Sequence, residues 1–353
     1  MSERRTIHLG PEAPFRRLVG VGGSGSGMFL ALEGDRTLGR NESRPAHLLD
    51  VRDYCKLHII AHHVAVLLGA EPSGLPFHVV PVGKVGADET GRRLVAEMLA
   101  AGIDTTCVEE VEGSPTLFSV CFQYPDGSGG NLTTADSAAA TLDETDVEAI
   151  APLLDAKTIA LAAPEVGLGP RRRLLELASE HGAFRVASMT SAEVEEERAS
   201  GVLGLVDLLA LNEDEAAILA GRTLDPANPS PFLGAVAGTL DVGRIVVTAG
   251  AHGAFAFEDG RWAHRRPPNV EVRSTAGAGD ALLGGVLAAL AAGVPLIADA
   301  EGALASALDL GVALATLSVT SPHTIHPDAD LGSVLASTQE HGLAIRPPLA
   351  DVV

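Results

Sequence analysis

Asp280 follows a stretch with almost no side chain, Thr275-Ala-Gly-Ala-Gly279, and precedes "ALLGGVLAALAAG", which is apolar on nearly every face. Gly277 and Gly279 permit backbone angles and close approaches that a side chain forbids. The segment from Asp280 reads as a helix buried against a sheet and stopped at Gly293 and Pro295. The free N–H groups of its first turn, with the helix dipole, then form an anion site in a protected place. A carboxylate at that end repels the anion, and makes sense if it takes a proton from whatever attacks the anion. A free Asp titrates near about 3.9, so Asp280 is expected to be ionised at neutral pH and ready to act as base. The competing reading is that Asp280 only caps a buried helix, since Asp is a favoured capping residue.

Around that segment, short β-type runs alternate with helical ones. "RLVGVGG" (17–23) and "FHVVPVG" (77–83) read as strands, and "KLHIIAHHVAVLLGA" (56–70) and "DETGRRLVAEMLAAG" (88–102) as helices. After residue 143 the alternation is regular: helix "DETDVEAIAPLL", strand "TIALAA", helix "RRRLLELASEHG", strand "FRVASM", strand "VDLLAL", helix "EDEAAILAG" and strands "RIVVTAG" and "GAFAFE". Such repeated units predict an α/β fold: a doubly wound, mostly parallel central sheet with helices on both faces. Ligands of such sheets bind at the carboxyl ends of the strands. Residues 28–54 and 104–134 interrupt the pattern and suggest a small β-rich lid over that edge, with "PDGSGG" (125–130) as turn chemistry. The expected organisation is an N-terminal extension 1–16, a domain 17–345 and a tail 346–353.

The chain has 353 residues, 46% hydrophobic but only 3% aromatic, so its core must come from Ala, Val, Leu and Ile. A net charge of −21 argues against nucleic acid or anionic lipid as a partner. Cys55, Cys107 and Cys121 lie far apart, which suggests reduced thiols and makes a zinc site improbable. The opening "MSERRTIHLGPEAPFRR" lacks an apolar signal stretch, and no long uncharged apolar run appears; a cytoplasmic location is expected.

"STAGAGD" (274–280) resembles the C-terminal signature of the ribokinase-like (PfkB) carbohydrate kinase family. The resemblance implies that Asp280 deprotonates the acceptor hydroxyl and that the backbone of Gly277, Ala278 and Gly279 forms the anion hole for the transferred phosphoryl group. "LLALNEDEAAILAG" (208–221) resembles the family's Asn-x-x-Glu motif, implying that Asn212 and Glu215 help hold Mg²⁺ and the nucleotide phosphates, largely through water; read alone, it is a capping Asn with an acidic first turn. "VVTAGAHGAFAF" (246–257) resembles the nucleotide-side strand and turn, implying Thr248, Gly250, Gly253 and, further on, Thr275 as nucleotide contacts; read alone, it is a hairpin. "VGKVGADETGRRLVAEMLAAGIDTT" (82–106) is taken as mainly structural. The likeness runs in order over residues 17–322. It implies ATP, Mg²⁺, a small sugar-like substrate, a monovalent cation as a further expectation, and a homodimer through the lid.

The acceptor half departs from the family. Its Gly-Asp pair and second Asp, which bind sugar hydroxyls, align with Gly23 and Gly27 in "VGVGGSGSGMF" (19–29). Its Gly-Gly-x-x-x-Asn is replaced by "HIIAHH" (58–63), with His63 at the Asn position, and the acid expected near 188 is Ser188. Ser24, Arg52, Lys56, His58 and His63 are therefore the candidate substrate contacts, with His62 beside them. So many basic groups would suit an acidic acceptor such as a phosphosugar. A nucleoside kinase, or a nucleotide-binding regulator without turnover, would fit the same departures. "GVGGSG" (20–25), with Glu42 downstream, also satisfies a dinucleotide fingerprint, but no clean crossover helix follows it.

Overall fold

In the computed structural model, the structure describes residues 5–125, 129–240, 242–299 and 303–353; the centre of the 125–130 turn and the first four residues lie outside this range. The chain opens with β1 (Arg17–Val21), then β2 (Gly25–Leu32), β3 (Ala46–Tyr54), α1 (Lys56–Leu68), β4 (His78–Gly86), α2 (Glu89–Ala100), β5 (Val108–Val111), β6 (Leu117–Gln123) and β7 (Gly129–Thr133). The regular half follows: α3 (Glu144–Glu148), β8 (Thr158–Ala162), α4 (Leu168–Glu180), β9 (Phe184–Ser188), α5 (Val194–Ser200), β10 (Leu208–Asn212), α6 (Glu213–Ala220), α7 (Ser230–Thr239) and β11 (Arg244–Thr248). The strands β12 (Ala254–Glu258) and β13 (Arg261–Arg265) and the helices α8 (Ala278–Ala291), α9 (Ala307–Ser318) and α10 (Leu331–Glu340) complete it.

Nine strands form the central sheet in the order β13-β12-β11-β10-β9-β8-β1-β4-β5. Every pairing is parallel except the two that join β11, β12 and β13. Helices cover both faces, as a parallel sheet requires. A separate four-stranded sheet, β3-β2-β6-β7, stands where the sequence suggested a lid. The lid differs from the expected 28–54 and 104–134: β5 pairs in parallel with β4 and so belongs to the main sheet, leaving only β6 and β7 in the second lid segment. The segment read as one helix after residue 143 is the single turn or so of α3 and then a 3₁₀ turn, Ala151–Leu153, because Pro152 cannot continue the ladder. The described residues near both ends pack: Ile7 and Leu349 are buried, and the His8 N–H donates to the Val352 carbonyl at 2.7 Å.

The element that matters most is α8. Its Ala and Gly residues are buried from Ala281 onward, between α1 and α9. A Cβ on Gly285 would lie 2.9 Å from Gly311 Cα, and one on Gly284 would lie 2.8 Å from His63 Cβ. Two bare positions thus let both neighbouring helices close on α8 and fix where its N-terminus points. The glycine run after β1 leads into β2, a lid strand, so no helix N-terminus stands there to receive a pyrophosphate; Glu42 is engaged by Arg36 and Arg44. The dinucleotide reading ends at that point.

Candidate active site

The carboxyl ends of β10 and β11 meet in register, Asn212 beside Thr248. Opposite them stands the start of α8. Gly277 caps it with φ 76°, a left-handed angle, and a Cβ there would fall 2.5 Å from the Thr324 carbonyl. Thr324 also holds the lid edge, since its N–H donates to the Arg52 carbonyl at 3.1 Å and the Tyr54 N–H donates to its Oγ1 at 3.2 Å. A Cβ on Gly279 would make ordinary contact, 3.6 Å, with Thr248 Oγ1, which brings two distant motifs together. Ala278 behaves differently from the expectation: its N–H donates to the Thr275 carbonyl at 3.2 Å and closes the turn. Among the described residues the amides of Gly277, Gly279 and Asp280 have no backbone acceptor, so these three, and not that of Ala278, are the amides left open to an anion.

These residues line a cleft of about 520 Å³, with Thr275, Ala278, Gly279 and Asp280 on one side and Asn212, Glu215, Thr248, Gly250 and Gly253 on the other. Gly250 and Gly253 have φ 49° and 91°, and a Cβ on Gly253 would overlap the Arg265 carbonyl at 2.0 Å. The hairpin and the cleft wall are therefore the same object. A larger cavity, about 690 Å³, lies beside β13 and α9 and carries none of the motif residues. Convergence of separated motifs makes the smaller cleft the candidate.

Asn212 and Glu215 form a reciprocal cap on α6: each backbone N–H donates to the other's side chain at 2.8 Å, and Asn212 Nδ2 donates to Glu215 Oε1 at 2.9 Å. Lys56 Nζ lies 3.7 Å from Glu215 Oε1 and donates to the Met189 carbonyl at 2.9 Å. Burial works against the Lys56 charge, but Asp280, Glu215, Glu165 and Glu193 outweigh it and raise its pKa. Burial pushes Asp280 up to about 6, Lys56 opposing and Glu215 and Asp53 adding to the shift. Asp280 is still mostly ionised at neutral pH. Both Glu215 oxygens already accept hydrogen bonds, and among the described residues no group of three His, Cys, Asp or Glu could hold a metal ion. The donor set fits Mg²⁺ carried on phosphates, which Asn212 and Glu215 would hold through water.

The basic acceptor cluster does not assemble. His58 is buried against Tyr54, ring centroids 4.6 Å apart, and burial lowers its pKa to about 3. His63 is fully buried against α8, and burial lowers its pKa well below the usual imidazole range. Both are neutral. Arg52 is exposed. Only Lys56 reaches the centre, and carboxylates surround it. Ser24 and Ser188 are buried, and Ser188 lines the cleft.

Sequence reasoning missed two carboxylates. Glu165, just past β8, has φ 73° and accepts the Lys56 N–H at 3.1 Å; burial raises its pKa to about 8. Its position at the carboxyl end of a parallel strand was the available signal. Asp53, near the end of β3, is the other, and no local pattern marks it.

A large, mostly parallel, doubly wound sheet with helices on both faces and a separate small sheet define a ribokinase-like architecture. Solved structures share it: ribokinase from Giardia lamblia aligns with TM-score 0.74 at 16% identity, covering 92% of this chain and 99% of that one. Arabidopsis thaliana ribokinase complexed with ribose and ATP aligns with TM-score 0.68 at 19% identity, covering 92% and 98%. In sequence, a ribokinase of Haemophilus influenzae is 25% identical over 236 residues, 67% of this chain and 73% of its own. The chain belongs to the pfkB family of carbohydrate kinases, whose family model matches residues 63–330.

Proposed function

We propose that this protein transfers the γ-phosphoryl group of ATP to a hydroxyl of a small sugar or sugar derivative. One observation carries the reading: three motifs far apart in sequence converge on a single cleft, with Asp280 at the start of α8. Asp280 takes the proton of the attacking hydroxyl. The amides of Gly277, Gly279 and Asp280 stabilise charge on the moving phosphoryl group, where preorganised donors act most strongly. Lys56 offsets the carboxylates around Asp280. The apolar wall of Pro267, Val272, Val312 and Val319 suits a nucleobase, with Gly250 and Gly253 bounding it. Mg²⁺, when bound, would neutralise phosphate charge, with Asn212 and Glu215 holding it through water.

The test is ATP turnover against sugars, sugar acids and nucleosides. Asp280→Asn is expected to lose on the order of a thousandfold or more in kcat. Because the base must be ionised, wild-type kcat/KM should fall as pH drops through about 6, the Asp280 value. Equal rates for wild type and Asp280→Asn refute the assignment. The bare positions Gly23 and Gly27 favour a second reading, a nucleotide-binding regulator; ATP binding with no phosphorylated product would support it. With His58 and His63 neutral, an acidic acceptor is left with fewer cations to meet it than the sequence suggested. Pairing of two copies through the lid belongs to the same proposal: its edge strands expose Leu48 (70%) and Leu132 (68%).

A further inference from the structure

Gly27 and Asp53 stand opposite each other across the antiparallel β2–β3 ladder, so their side chains share one face. A Cβ on Gly27 would lie 2.4 Å from Asp53 Oδ2. The Asp53 carboxylate therefore occupies the place where a side chain at position 27 would start. Gly23 repeats the pattern: a Cβ there would meet Glu165 Cβ at 2.6 Å and Glu165 Oε2 at 3.0 Å. Two positions bare of acid are each filled by a carboxylate from another segment. The family match begins at residue 63, beyond Gly23, Gly27 and Asp53.

Asp53 is poorly compensated. Its side chain takes a long contact from the Cys121 thiol, 3.9 Å, and among the described residues no Lys, Arg or His pairs with it. Burial raises its pKa to about 6. Asp280 feels its charge, which puts it within electrostatic reach of the attacking group. The cation near β2, Arg93, donates to Ser26 Oγ at 2.8 Å, and Ser26 points to the opposite face from Gly27. Between the two bare positions, Ser24 Oγ is fully buried with no partner among the described residues. Asp53 is held only by the Cys121 thiol and the Tyr54 N–H, so its carboxylate keeps acceptor capacity that a hydroxyl-bearing ligand satisfies.

Building on the kinase reading, we propose that Asp53 is the acceptor-recognition carboxylate of this protein, supplied from β3 in place of an acid at Gly27, and that it selects neutral hydroxyl-rich acceptors against anionic ones. An acceptor hydroxyl donates to Asp53. A carboxylate or phosphate at that place meets a like charge; among the described residues no cation pairs with Asp53, Lys56 is committed to Glu215 and Met189, and Arg52, the preceding residue of β3, belongs to the opposite face of the strand.

The test uses the full chain as wild type and Asp53→Asn. D-ribose, D-fructose and inosine serve as neutral acceptors, D-gluconate and ribose 5-phosphate as anionic ones, and calorimetry reports ATP affinity. Wild type is expected to phosphorylate a neutral acceptor best. Asp53→Asn should raise that acceptor's KM by about 10- to 100-fold, as loss of a charged hydrogen bond does. Its ATP Kd should stay within about twofold, a readout that damage to the fold would move. The preference for neutral over anionic acceptors should shrink. An unchanged acceptor KM, a wild-type preference for an anionic acceptor, or ATP binding with no neutral acceptor phosphorylated each overturns the role of Asp53. Failure to bind ATP at all instead sinks the kinase reading beneath it.

Discussion

Glu165 holds a left-handed backbone, φ 73°, that a residue other than glycine rarely adopts without compensation. Its carboxyl group accepts the Lys56 N–H and lies against Cys55 and Gly23. Burial raises its pKa from 4.5 to about 8, and the nearby Asp280 adds to the rise. At neutral pH it is therefore mostly protonated and can donate a hydrogen bond. The folded state keeps a proton that the unfolded chain releases above its ordinary value, so stability falls as pH rises toward about 8. Glu165→Gln removes that proton exchange while keeping the shape. Its stability relative to wild type should grow with pH between 5 and 8, by up to about 1 kcal/mol per pH unit. Urea unfolding of both proteins at the two ends of that range checks it; a constant difference would mean that Glu165 is ionised in the fold.

α8 shows how an element serves a site. Its two adjacent glycines face different neighbours, Gly284 toward α1 and Gly285 toward α9. At Gly285 the contact is glycine to glycine, against Gly311, where a Cβ on Gly311 would also fall 2.7 Å from the Leu282 carbonyl. No side chain is available there to move aside, so added volume must push whole helices apart. Gly285→Val is expected to destabilise the protein by about 3 kcal/mol, measured as a lowered urea midpoint at constant slope. Activity should fall further than stability explains, because α8 carries Asp280 at its start. A variant of unchanged midpoint would show that α8 and α9 have room to spare.

The whole molecule joins a nine-stranded sheet to a smaller four-stranded one. Two lid strands, β3 and β7, are edges, and an exposed apolar edge invites pairing. The −21 charge opposes association of two copies, and salt screens it. Wild type is therefore expected to sediment as a dimer that tightens with ionic strength. Replacing both Leu48 and Leu132 with Lys should leave a monomer with an intact far-UV spectrum. A wild-type monomer at high salt would refute lid pairing. Asp53 sits on one of those edge strands, so pairing would also steady the acceptor side.

The proposed phosphate-side site was legible in the sequence because it is local. A bare turn, an acid and the helix behind it are contiguous, and backbone amides need no partner from afar. The same holds for Asn212 and Glu215, three apart on one cap. Alternation of strands and helices likewise foretold the parallel sheet, since periodicity follows from backbone geometry. The acceptor side was not legible. Gly23 and Gly27 look like lost acids until Glu165 and Asp53 arrive from residues far along the chain. His58 and His63 look like cations until burial neutralises them. Which volume a side chain occupies, and whether its charge survives there, depend on every segment that packs around it, and only the tertiary structure brings those segments together.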